Sequence, residues 1–173
     1  VYGLGEEMNS SLQVFEVVHI STPLTPNQQR KELIEKARKF VEEKLMVNFF
    51  NNVSFIIHPN KRTVVALKRH FQTGKVVKST KAKCDPDDVF NEYLGMAIAL
   101  GRLLEVEIPK EFLEAVQPSG YVIGHVIDGV GVVERYDSTI TKDHVTFNSN
   151  SLKYILYNPD SFGRILQDTH AEY

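Results

Sequence analysis

Eight basic side chains, Lys61, Arg62, Lys68, Arg69, Lys75, Lys78, Lys81 and Lys83, fall within 23 residues that contain no acid. A run of this kind is suited to meeting an anionic surface, either phosphate or carboxylate. Around Gln72-Thr73-Gly74 it reads as a hairpin of two strands, Arg62–Phe71 and Lys75–Cys84, because a short loop containing Gly joins two β-rich runs. The three-residue loop sets Lys68 directly opposite Lys78. Like charges so placed destabilise a hairpin, so an anionic partner, the chain's own acids or solvation must offset them. By strand alternation Lys75, Lys81 and Lys83 share one face with Val77 and Ser79, while Val76, Ala82 and Cys84 form the inner face. Lys75, Lys81 and Lys83, with Lys68, Arg69 and the tip residue Phe71, are the candidate residues for binding an anionic partner. Phe71 and Tyr93 are the aromatics near enough to stack a base, which keeps nucleic acid open beside an acidic protein surface.

Other constellations offer weaker chemistry. Asp85, Asp87 and Asp88 would suit a hard cation. The same residues with Pro86 are also what a helix N-terminus selects, with Asp85 as cap and Pro86 at the first helical position. Cys84 precedes that cap, where a helix N-terminus can activate a thiol. Three flanking carboxylates act against this, and the inner strand face makes Cys84 a core residue. The six histidines form no short-spaced pair of the zinc-site kind, and Gly124, Gly129 and Gly131 lack the Gly-Lys-Ser/Thr ending of a phosphate loop. No catalytic residue, metal ligand or cofactor site is assigned.

These residues need a scaffold. Thr25-Pro26 with Gln28 is a capping-box start for an amphipathic helix that carries Leu33, Ala37, Phe40, Val41 and Leu45 to about Asn48. Leu12–Ile20 and Val53–His58 read as strands, the latter stopped by Pro59. A second helix follows Asp85, apolar on most sides from Val89 to Leu104 and therefore buried. Within it Gly95 and Ala99 form a small-residue strip that expects close approach of another element, from the same chain or from a second copy. Pro109–Val116 reads as a short helix. Beyond Pro118-Ser119-Gly120 come short strands over 121–126, 130–136, 144–147 and 152–156. The expected fold is α+β, a mostly antiparallel sheet packed against two main helices with a small C-terminal β appendage. Its divisions are a domain over 1–117, a β subdomain over 118–157 and a weakly patterned tail over 158–173.

The 173 residues, 42% apolar and 24% charged, fit one globular domain with an appendage and exclude a disordered chain. No apolar run approaches the roughly 18 residues of a membrane span. The first residues lack the zones of a signal peptide, so a cytoplasmic address is expected. A single cysteine excludes an intramolecular disulfide framework. Net charge is −2, yet residues 45–84 carry +8 and residues 85–114 carry −6. These two segments can face a partner or each other.

Two stretches, Asn60–Leu67 and Gly74–Leu100, resemble a module of uncharacterised bacteriophage and prophage proteins of Gram-positive bacteria. The shared features are the basic hairpin, the Cys-x-Pro-x-Asp-x-Phe turn at Cys84–Phe90 and the Gly-x-x-x-Ala-Leu helix at Gly95–Leu100. The resemblance spans about residues 60–104 and carries over no catalytic residue. It implies origin, a small phage accessory protein acting inside the host cell. The preferred function is non-enzymatic, binding a host or anti-phage defence factor in the host cell cytoplasm. A nucleic-acid-binding protein using the 61–83 hairpin is the alternative. The order helix, three strands, helix over 26–104 is also that of double-stranded-RNA-binding domains, whose second helix begins with lysines that reach phosphate. Here Asp85, Asp87 and Asp88 stand at those positions and would repel it.

Overall fold

Thr25 starts the first helix by the expected reciprocal cap. Its Oγ1 accepts from the Gln28 amide at 3.3 Å, and Gln28 Oε1 accepts from the Thr25 amide at 2.9 Å. The resulting helix α1 (Pro26–Val47) ends at Asn48 and buries Arg30, Leu33, Ala37 and Val41 along one stripe. The computed structural model describes residues 23–48, 52–128, 131–137, 144–149, 152–156 and 164–173, the three middle stretches beyond 128 by backbone pairing. The strand expected over Leu12–Ile20 lies outside the described residues.

Strands β1 (Val53–His58), β2 (Thr63–Arg69) and β3 (Val76–Lys83) form an antiparallel sheet in that order. A 3-10 turn over Pro59–Lys61 separates the first two, and Arg62 closes it in the left-handed region at φ 53°. Alternation sends Phe55, Ile57, Val64, Ala66 and Ala82 into the core. Helix α2 (Glu92–Leu104) packs on β2, β3 and α1, and it buries Leu94, Ala97, Ala99, Leu100 and Leu103. The small-residue strip meets an element of the same chain. A Cβ placed on Gly95 would lie 2.5 Å from Val64 Cγ2, so glycine is what lets the helix sit down on β2. The third helix is one turn, α3 (Lys110–Leu113). Its buried Phe112 meets Phe40 edge-on at 5.6 Å.

The sequence placed the start of α2 six residues too early. Asp85 does not cap it: Asp85 Oδ1 accepts from the Asp87 amide at 3.0 Å, and the Asp88 amide returns to the Asp85 carbonyl at 3.2 Å, which makes a turn. Helix-forming bonds are unavailable there because Arg62 draws the carbonyls of Asp85, Pro86 and Asp88 to its guanidinium. Phe90 is then held extended by a parallel bridge, its amide on the Leu166 carbonyl and its carbonyl on the Asp168 amide. The cap is Asn91, whose Oδ1 accepts from the Tyr93 and Leu94 amides at 3.0 and 3.3 Å.

The C-terminal part is a second antiparallel sheet, order β7-β6-β5-β4-β8, built from β4 (Val126–Ile127), β5 (Gly131–Asp137), β6 (His144–Ser149), β7 (Leu152–Leu156) and β8 (Ile165–Gln167). The strand expected over 121–126 is irregular up to Val126, with a turn at Ile123 and Gly124, and the tail lies across it. Glu172 donates its amide to the Ile123 carbonyl, and a Cβ on Gly124 (φ +88°) would strike the His170 carbonyl. Residues 164–173 therefore have defined partners, although no sequence pattern marks them. They pair in the C-terminal sheet and bond to α1 and the α2 cap.

Candidate partner-binding face

The candidate site is the outer face of the first sheet. Its rows are fixed by register. Ile56, Val65 and Lys81 stand side by side, and His58, Thr63 and Lys83 form the next row. Leu67 fills the middle, buried between Ser54 and Ser79. Lys75, Lys81 and Lys83 are exposed. Among the described residues none of the three has an ion-pair partner. The face also presents apolar groups to solvent, Ile56 at 43%, Val77 at 57% and the tip residue Phe71 at 79% exposure.

A bulge between Lys68 and Arg69 changes what simple alternation gave. Val76, expected on the inner face with Ala82 and Cys84, pairs with Arg69 and is half exposed. Lys75 lies beyond that phase change, so it belongs with the hairpin tip rather than with the Lys81–Lys83 rows. Lys68 and Lys78 do face each other, on the inner side. The repulsion between them is offset from within: Lys78 Nζ lies 2.5 Å from Glu105 Oε1 at the end of α2. The hydrogen bond and charge of Lys78 hold the Glu105 carboxyl below its ordinary range. Arg69 is also engaged internally, since its Nη1 donates to the Gly74 carbonyl at 3.1 Å and braces the turn. Of the six candidate residues, the structure therefore brings Lys81 and Lys83 together on the outer face and sets Lys75 and Phe71 at the tip. It places Lys68 on the other side. Tyr93, the second stacking candidate, has the Arg38 guanidinium 4.0 Å over its ring.

In the acidic turn beside Lys83, Asp85 and Asp87 are exposed. Asp87 pairs with Arg164 at 3.6 Å. Cys84 is half-buried, and its Sγ accepts from Arg62 Nη2 at 3.3 Å. Among the described residues, no three His, Cys, Asp or Glu side chains converge as a metal site.

Sequence reading missed a buried polar cluster that joins α1 and the α2 cap to the residues after β8. Arg30, fully buried, donates through Nε to Asp168 Oδ2 at 2.7 Å and through Nη1 and Nη2 to the Val116 and Val89 carbonyls. Asp168 also accepts from Asn91 Nδ2 at 3.0 Å and from the Tyr173 hydroxyl at 2.6 Å. His125 Nδ1 accepts from the Val122 amide, so Nε2 carries the proton toward the Tyr173 oxygen 3.2 Å away. Burial lowers the His125 pKa to about 4, with Asp168 opposing and Arg30 adding to the effect. Burial first, then the Asp168 charge, pushes the Tyr173 hydroxyl well up. The cluster is thus one anion, Asp168, compensated by one cation and three neutral donors or relays. It ties α1 to the α2 cap and to the tail. The only local hint was an arginine at a core position of the α1 stripe.

Among the described residues no helix is long and apolar enough to cross a membrane. The chain matches no protein-family model, no curated protein and no solved structure.

Proposed function

We propose that this chain is a non-enzymatic binding protein whose outer sheet face and hairpin tip take an acidic surface of a partner protein. The observation that carries the reading is the company the lysines keep. Lys75, Lys81 and Lys83 are exposed without ion-pair partners among the described residues, and they border solvent-facing Ile56, Val77 and Phe71. Apolar anchors ringed by polar groups are the anatomy of a protein interface. In the setting that the phage-like segments imply, the partner is a host or defence factor met in the host cytoplasm.

Nucleic acid is the second reading, favoured by Phe71 at the tip beside Lys75. It is weakened by the Arg38 guanidinium over the Tyr93 ring. Capture from host lysate with and without nuclease separates the two. A protein retained after nuclease treatment supports the proposal, and loss of all binding on nuclease treatment supports the alternative. Phosphate binding also weakens steeply as salt rises, through counterion release, whereas apolar contacts are not screened.

A further inference from the structure

We propose that the partner's acidic surface is an extended segment that adds to the outer edge of β3 as a fourth, antiparallel strand, with its carboxylates on the same face as Lys81 and Lys83. This rests on the reading of the basic face as the partner site and says how that face is met. Three observations carry it.

The first is the direction of the backbone. Arg69 donates its amide to the Asn52 carbonyl just ahead of β1, and Cys84 donates its amide to the Arg62 carbonyl just ahead of β2. These two bonds set the phase of the sheet. Thr63, Val65 and Leu67 turn their backbone groups to β1, and Val64, Ala66 and Lys68 turn theirs to β3. On β3, Thr80 and Ala82 therefore bond to β2, while Ser79, Lys81 and Lys83 turn their N–H and C=O groups away from it. β3 is the last strand of its sheet. Among the described residues the one group that bonds to this edge is Arg102, whose Nη1 donates to the Lys81 carbonyl at 2.7 Å. That carbonyl keeps a second lone pair.

The second is charge. Lys81 and Lys83 stand on the outer face beside this edge, and the exposed Arg102 reaches it from α2. Among the described residues none of the three has an ion-pair partner. Directly opposite residues share a face, so an extended strand with an acid at every second position sets carboxylates against Lys81 and Lys83. Asp85 and Asp87, exposed just past Lys83, repel carboxylates there. The acidic stretch therefore runs from Lys83 back toward the hairpin tip.

The third is what the edge excludes. A second copy would bring its own Lys78, Lys81 and Lys83 to the seam, and like charges oppose that pairing. A nucleic acid has no row of amides and carbonyls to continue the sheet.

The blocked peptide Thr-Glu-Val-Glu-Val-Glu-Thr is titrated into the full isotope-labelled chain at low salt. Two further forms are methylated on the backbone nitrogens of either the Glu or the Val residues. In the antiparallel pairing the Glu amides face β3 and the Val amides face away. The parent and Val-methylated peptides should slow hydrogen exchange at the Ser79, Lys81 and Lys83 amides, and leave Thr80 and Ala82 unchanged. The Glu-methylated peptide should bind about tenfold more weakly and protect none of them. Ser79→Pro removes an outward N–H at an edge position where proline is tolerated, and it should abolish the protection at Lys81 and Lys83. The methylated peptides on the wild-type chain decide where that variant disturbs folding. Equal binding of the two methylated forms, or the reverse order, overturns the added strand and leaves the basic face standing. Protection of these amides without peptide, growing with protein concentration, assigns the edge to a second copy and overturns the proposal. No change at Lys81 or Lys83 with any peptide overturns both readings.

Discussion

Arg30 and Asp168 lie 138 positions apart in sequence and form an ion pair at 2.7 Å with neither side chain exposed to solvent. Removing one partner leaves the other charge buried and uncompensated, which typically costs about 3–5 kcal/mol. Arg30→Met and Asp168→Leu should each lower the urea midpoint strongly. The double variant should be more stable than either single one. Equilibrium unfolding of the four proteins checks this, and additive losses would show that the two residues act separately.

His125 makes stability depend on pH. Its pKa falls from 6.5 to about 4 on folding because burial penalises the charged ring. Between those values the unfolded chain binds the proton and the folded chain does not. Stability contributed by the neutral ring is therefore intact above pH 6.5 and declines as pH falls toward 4, by up to about 3 kcal/mol. Urea titrations across that window should show the loss in the wild type and a flatter profile in His125→Gln.

The cap of α2 is Asn91, so the side chains around it rank in a defined order. Asn91→Ala should cost at least the 0.5–2 kcal/mol typical of a lost cap, because Asp168 also loses a donor. Asn91→Asp keeps the capping oxygen but faces Asp168 with a second carboxylate, and it should be no better than Ala. Asp85→Ala removes only one bond in an exposed turn and should shift the melting temperature little. Thermal unfolding of the three variants orders them.

Gly95 has no room for a methyl group against Val64. Gly95→Leu should overpack the helix on β2 at a cost of about 1–3 kcal/mol. Gly95→Ala should be partly rescued by Val64→Ala, and denaturation of the single and double variants measures the coupling. A stabilised Gly95→Ala would show that the helix lifts off β2 freely.

What was legible in the sequence was local. Thr25-Pro26-x-Gln28 carries its own cap, and Gln72-Thr73-Gly74 its own hairpin, so α1 and the Lys68–Lys78 register follow from neighbouring residues. The start of α2 was not legible, because Asp85-Pro86 imitates a cap and the bonds that override it come from Arg62 and from residues 166–168. Of the candidate face, the exposure of Lys81 and Lys83 could be read from alternation, while Lys75 is exposed at the tip beyond the strand. The inversion of Val76 could not, since a bulge shifts phase without marking the sequence. The Arg30–Asp168 cluster depends on segments 138 positions apart meeting, which no window of sequence displays.

The basic face itself is tested by a triple charge reversal, Lys75→Glu, Lys81→Glu and Lys83→Glu. The affected side chains are exposed and unpaired among the described residues, so the melting temperature should hold. Nuclease-treated host lysate is passed over immobilised wild-type and variant chains, and the captured proteins are compared by mass spectrometry. A protein retained by the wild type and lost from the folded triple variant is the expected result. The same protein captured equally by both would contradict binding through this face.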